Sequence, residues 1–441
     1  MSPTSPDADL TAGALEAADG GEPLGAVKLS ALAASGVRAI RHRGSVRSAA
    51  RLARETARIL RGSSEMAPER HDWRFRDPTW SENFAYRRLM QFYLAWTKEV
   101  QDVVERADLD WHDAERARFL ASFLTSALAP TNVLLGNPGA LKRLLETGGV
   151  SRLRGVRNQL HDLRHNGGMP STVNSRPFKL GENMAATPGV VVFRDEVCEV
   201  IQYASSTAHV GARPVLLVPP QINRYYFMDL APGRSFVEHA VSRGFQFFLI
   251  SWRNPTHAQR GWDMNTYGAA VLRAIDAARE IARSDDVNLI SLCAGGMLTA
   301  TVLNHLAALH DERVRSASFG VTLLDFEVPA PIGMFHSPPV VSLARFRSRP
   351  SGVLDGRSLA SVFAWLRPND LVWNYWVNDY LLGNDPPTFD ILAWNADATN
   401  LPGALHRQFL DIFENNVLAT PGAMTVLGTP WILERSSWTR T

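Results

Sequence analysis

No segment constrains this chain more than the apolar run Val287–Leu292 with the sequence Cys293-Ala294-Gly295-Gly296 that follows it. The run reads as a strand, and residues 297–309 carry a helical pattern, so the chain must turn within the few residues between. A strand that feeds a helix through so tight a turn is the setting of a nucleophile elbow, with the reactive side chain at the apex. Small residues two before and two after the apex are needed because backbones crowd there. Here they are Ser291, in place of the more usual glycine, and Gly295. The apex is Cys293. The helix that follows offers free N–H groups and the positive end of its dipole, both of which stabilise anionic sulfur. The N–H of Ala294 is expected to form half of an oxyanion hole, with a second donor from the loop 219–226 after the apolar run Val215–Val218. A lone cysteine is most often an inert core residue, but the strand–turn–helix setting and the Ala-Gly-Gly sequence favour a nucleophile. Cys198 has no such setting and reads as structural.

A cysteine in place of serine carries chemical information. Acyl transfer from a coenzyme A thioester to a thiol exchanges one thioester for another and keeps the acyl group activated for a second alcohol. A serine would form an oxoester and discard that activation. The substitution suits an acyltransferase better than a plain hydrolase.

The rest of the 441 residues divides by texture. Residues 1–28, rich in Ala, Gly, Pro and acid, read as a disordered tail. Residues 29–186 read as a helical N-terminal domain. It opens on Arg47, Arg51, Arg54, Arg58 and Arg61, which share one helix face, beside a weakly apolar face of Ala50, Ala53, Ala57 and Leu60. A solvated face is the plainer reading of these arginines, contact with an anionic surface the alternative. Phe84, Arg88, Leu89, Phe92 and Trp96, then Phe119, Leu120, Phe123, Leu124, Ala127 and Leu128, recur at helical spacing. Residues 187–441 read as a catalytic domain with strands at 190–193, 215–218, 245–250, 287–292 and 317–324, and a helix through Val271, Ile275, Ala278 and Ala282. Strands alternating with helices imply a mostly parallel sheet with both faces covered. The formal net charge of +2 argues against nucleic acid as a partner, and two cysteines rule out a disulfide framework and fit a reducing cytoplasm. No apolar stretch is long enough to span a bilayer, and neither a phosphate-binding Gly-rich loop nor a metal-ligand spacing is present.

Several segments, in order, resemble the polyhydroxyalkanoate synthases, class I-like. They are Asp77-Pro78-Thr79-Trp80-Ser81-Glu82-Asn83, Leu128-Ala129-Pro130-Thr131-Asn132, the link 187–194, PPQINRYYFMDL at 219–230, Ser251-Trp252-Arg253-Asn254-Pro255, the box at Cys293, Leu354-Asp355-Gly356-Arg357, NDLVWNYWVNDYLLG at 369–383, and Trp394-Asn395-Ala396-Asp397-Ala398-Thr399. The resemblance implies an α/β-hydrolase fold with a helical N-terminal domain. It further implies polymerisation of (R)-3-hydroxyacyl-CoA into a storage polyester at a cytoplasmic granule surface, a homodimer, and no cofactor beyond the coenzyme A thioester that is itself the substrate. Cys293 would carry the acyl chain, with Ile222, Asn223, Asp229 and Trp394 about the substrate. Trp394 reads as a core residue on its own, and Asp229 and Asp325 read equally well as helix caps or loop anchors.

The family's catalytic Asp and His lie further on, in Asp-His-Ile and Gly-His contexts, and neither occurs in this sequence. The resemblance fades near residue 430, so the chain is expected to be truncated, its sheet incomplete with an edge left bare, and its activity nearly lost. Downstream of Cys293 the histidines weighed as a substitute base are His336 and His406. The alternatives are a cysteine-centred hydrolase (a thioesterase or depolymerase) and a non-catalytic remnant that binds the granule or an intact synthase.

Overall fold

The computed structural model describes residues 44–327 and 352–432. The expectations for the tail 1–28, for His336 and for the last nine residues therefore lie outside the described residues. The chain divides into two compact units, with described residues 44–142 in one and 143–327 plus 352–432 in the other.

The first unit is helical: α1 (Gly44–Arg61), α2 (Phe84–Glu105) and α3 (Trp111–Ala127) are its long members. Asn83 starts α2 by accepting hydrogen bonds from the N–H groups of Ala85 and Tyr86, at 2.9 and 3.3 Å, and Asp110 caps α3 in the same way through Asp113. The buried faces differ from those the spacing suggested. Met90, Tyr93, Ala95, Ala117 and Ala121 are buried, whereas Phe84, Phe92, Leu124 and Leu128 are exposed. On α1, Leu60 is exposed and Ser48 and Ile59 are the buried positions. The arginine row splits as well. Arg51 turns inward, its Nη2 lying 2.6 Å from Glu99 of α2, while Arg47, Arg54, Arg58 and Arg61 face solvent.

The second unit holds a six-stranded sheet of β1 (Gly189–Arg194), β2 (Cys198–Tyr203), β3 (Val215–Val218), β4 (Phe247–Trp252), β5 (Val287–Leu292) and β6 (Val314–Gly320), in the order β1-β2-β4-β3-β5-β6. β1–β2 and β2–β4 are antiparallel, and the other three pairs are parallel. This is the α/β-hydrolase fold, with a helical region ahead of it. β2 has no counterpart among the strands read from sequence. β1, read as covered, is an exposed edge with Val190 at 64% exposure. The central strands are covered on both faces, most fully β3 and β4, as their largely apolar sequences require. α5 (Met264–Ala282) and α6 (Ala294–Ala308) seal one face through Val271, Ile275, Leu298 and Val302. The short helix Phe236–Ser242 seals the other through Val237 and Val241. Each such side chain contributes about 1.5–3 kcal/mol on leaving water. Among the described residues no helix is long and apolar enough to cross a membrane.

Outside the sheet, α4 (Val150–His165) packs on the widened helical turn Trp376–Leu381. The approach is close enough that a Cβ on Gly155 would collide with the Tyr380 carbonyl. At this seam the Tyr380 hydroxyl and the Ser171 hydroxyl and N–H all donate to the buried Asp162 carboxylate. Asp379, 1% exposed, receives one bond from the Asn378 amide at 2.7 Å. Burial pushes its pKa up to about 7, against the Asn378 bond, with Asp162 and Asp385 adding repulsion. Because the folded value exceeds the unfolded one, the native state retains this proton from about pH 4 upward, and its stabilisation is lost as pH rises through 7. Asp379→Asn is expected to raise stability above pH 7, on the order of 2–4 kcal/mol, and to leave it little changed near pH 4, read as urea midpoints across that range.

Candidate active site

Cys293 sits where β5 ends and α6 begins, with φ +51° and ψ −123°. A side chain at positive φ is strained, and such strain survives only where surrounding contacts over-determine it. Three contacts do so here. The Cys293 N–H donates to the Gly320 carbonyl of β6 at 3.0 Å. A Cβ on Gly295 would come within 2.5 Å of the Pro219 carbonyl and 2.6 Å of that of Val218. A Cβ on Gly296 would collide with the side chain of Thr322. Ser291, the departure from the usual glycine, is fully buried and donates its hydroxyl to Thr299 of α6 at 2.8 Å, joining the strand to the helix. The cysteine itself is exposed. Ala294 follows as the first residue of α6, so its N–H has no acceptor within the helix by position.

The loop after β3 runs alongside. Ile222 packs onto the core cluster that contains Ala294 and Met297. Asn223 is held at φ +72°, its N–H donating to Thr399 Oγ1 at 2.8 Å, and the Thr399 hydroxyl donates onward to the Gln221 carbonyl at 3.3 Å. The Trp394 indole N–H donates to the Arg224 carbonyl at 2.9 Å, and its ring tilts against Phe227. Ile222 thus touches the core on which α6 packs, and Asn223 lies on the loop after β3, to which Trp394 bonds. Asp229 is set differently. It is 1% exposed and bonded to the hydroxyls of Thr187 and Ser235, the bonds of a loop anchor. Asp325 is likewise an anchor, its carboxylate held below the usual range by the Asn416 amide 2.8 Å away. Sequence reading gave no sign of Thr322, and placed Thr399 only within a segment that resembles the family, because nothing in local spacing connects either to the loop or the elbow.

Cys198 is 1% exposed, and burial pushes its thiol pKa up to about 12, an inert thiol. Of the described histidines after Cys293, His305 and His310 lie at the far end of α6, and His305 is bonded to Thr429 Oγ1. At 1.5 Å per residue, His305 is roughly 16 Å along the helix from its start. His406, in the first turn of α7 (Gly403–Asn415), is 6% exposed, and burial followed by Arg407 pushes its pKa down to about 4. A base so weak accepts a proton poorly. Among the described residues no group of three or more side chains is arranged to hold a metal ion.

Two family models match the chain: poly-beta-hydroxybutyrate polymerase (PhaC) N-terminus over residues 71–240, and the alpha/beta hydrolase fold over residues 223–411. Poly(3-hydroxyalkanoate) polymerase 1 of Ectopseudomonas oleovorans is 47% identical over 376 residues, covering 85% of this chain and 67% of that protein. Polymerase 2 of the same organism is 48% identical over 382 residues, 86% of this chain and 68% of its own. The chain belongs to the poly(3-hydroxyalkanoate) polymerase family. Another member, the polymerase subunit PhaC of Cupriavidus necator, is 40% identical over 380 residues, covering 84% of this chain and 64% of its own. The matches thus span about two thirds of these relatives' lengths. Family membership makes the chain an acyltransferase of the polyhydroxyalkanoate-synthase type.

Two outcomes follow from this geometry. Gly295→Ala is expected to cost about 1–3 kcal/mol and to slow alkylation of Cys293 by iodoacetamide, because the turn must open to admit the new methyl. The neutral, buried His406 stabilises the fold fully above about pH 6.5, and this is lost as pH falls toward about 4. His406→Gln should therefore flatten the acid side of a melting-temperature profile.

Proposed function

We propose that this chain takes the acyl group of an (R)-3-hydroxyacyl-CoA onto Cys293 as a thioester, releasing coenzyme A. The observation that carries the reading is the strained, exposed Cys293 at the turn between β5 and α6. The sulfur anion attacks the thioester carbonyl, and the oxyanion of the tetrahedral intermediate receives the Ala294 N–H and an N–H of the loop at Ile222. Collapse expels the coenzyme A thiolate and leaves one thioester in place of another. Asn223 and Trp394 line the path of the acyl chain, and Asp229 anchors the end of the loop that carries Asn223. Polymerisation then requires the 3-hydroxyl of a second acyl group to lose a proton as it attacks. The family's Asp-His-Ile and Gly-His contexts do not occur in these residues, and His406 is too weak a base. A class I-like substrate range, homodimerisation and residence at a cytoplasmic granule surface belong to the same proposal and rest on the family alone.

The test is incubation of the purified chain with (R)-3-hydroxybutyryl-CoA, with free thiol and intact mass followed together. One equivalent of coenzyme A with a matching mass increase, absent in Cys293→Ala, is expected. Wild-type protein that gains no mass would remove Cys293 as nucleophile. Sustained release with polymer would show a competent base within the chain.

A further inference from the structure

Two cavities lie side by side at the carboxyl end of the sheet, about 190 and 350 Å³ in volume, sharing Arg224, Ser251 and Trp252 in their walls. They adjoin the elbow through one carbonyl. The Trp252 indole N–H donates to Pro219 O at 2.9 Å, and Pro219 is the residue against which Gly295 packs. The position accords with the rule that open α/β sheets bind ligands in the crevice beyond the carboxyl ends of their strands.

The charges around the larger cavity pair off unequally. Arg194 is matched by Glu199 at 2.7 Å, and Asp195 by Arg273 at 2.6 Å. Arg224 Nε lies 3.2 Å from Asp397 Oδ1, yet it is buried and not aligned for a hydrogen bond, and Asp397 already accepts the Tyr226 hydroxyl at 2.8 Å. Arg253 has no carboxylate partner among the described residues and reaches only the Glu196 carbonyl, at 3.5 Å. The cavity thus presents one buried guanidinium N–H without an acceptor and one whole cation without a counter-ion. Phosphate oxygens meet both needs, since guanidinium groups bind them through paired charge-assisted hydrogen bonds.

We propose that Arg224 and Arg253 form the site for the phosphate groups of the acyl-CoA, anchoring the nucleotide end in this cavity while the pantetheine arm passes Trp252 to Cys293. The assignment rests on the acyl-CoA reading of the site and adds to it the residues that recognise the anionic end. Arg224 and Arg253 are positioning residues: they hold the substrate and touch no reacting atom.

The experiment is titration of coenzyme A into the full chain by calorimetry, for wild type, Arg253→Gln, Arg224→Gln, Arg253→Lys and Cys293→Ala, with pantetheine, which has no phosphate, as the second probe. The two Gln variants should bind coenzyme A at least tenfold more weakly, with Arg253→Lys between them and wild type. Cys293→Ala should bind as wild type does, and pantetheine should bind all five alike. Wild-type affinity in both Gln variants, or no binding of coenzyme A to wild type, would overturn the assignment. So would parallel losses for coenzyme A and pantetheine, which would make the arginines merely structural. Acylation of Cys293 is read separately. Intact coenzyme A binding without acylation would sink the nucleophile reading and leave the phosphate site standing. Arginine-independent binding with normal acylation would do the reverse.

Discussion

The architecture of this site depends on a single crowded contact, the approach of Gly295 to the Val218 and Pro219 carbonyls. Where a helix begins that close to a neighbouring strand, no side chain fits at the contact, and the residue two before it is forced to positive φ. The strain at Cys293 is thus the local expression of how tightly α6 is drawn against β3. Two neighbouring central strands hold the turn from either side, β5 through its own continuation and β3 through the loop that follows it. Ser291 adds a side-chain bond to Thr299 in a place where glycine would add none. The departure from the usual motif is therefore matched by a bond of its own.

The legible parts of the sequence were those in which one physical cue dominated. β3 is a continuous apolar run because it is buried on both faces, β5 is mostly apolar, and α5 and α6 declare themselves by spacing and by the turns that bound them. β2 did not, because Cys198-Glu199-Val200-Ile201-Gln202-Tyr203 mixes polar and apolar residues as a strand next to an exposed edge can. β6 was placed three residues late because only its first residue is buried and the rest of its length is polar or open. In the helical unit the large side chains misled. Alanines at 95, 117 and 121 permit helices to approach closely, and the aromatic residues with the clearest periodicity, Phe84 and Phe92, lie outside.

The site divides along the same line. The turn that carries Cys293 and Ala294 was legible because the elbow is local, and its sequence states its geometry. Asp229 shows how far a motif position can mislead: its carboxylate is consumed by Thr187 and Ser235, and its place in a recurring motif is explained by the loop it ties down. Thr399 falls in a segment that resembles the family, but its bond to the loop after β3 could not be read from it. The same holds for Arg224 and Arg253, whose surroundings depend on which carboxylates are already taken.

The bond from Asn223 to Thr399 joins residues 176 apart in the chain. Every contact that fixes the elbow itself falls between residues 218 and 322. During synthesis from the N-terminus, the reactive turn can therefore form well before the residue that steadies the facing loop has left the ribosome. Until that residue arrives, the loop opposite the turn lacks this tether. The steadiness of the loop is thus set by a threonine that lies far along the chain from both the loop and the elbow.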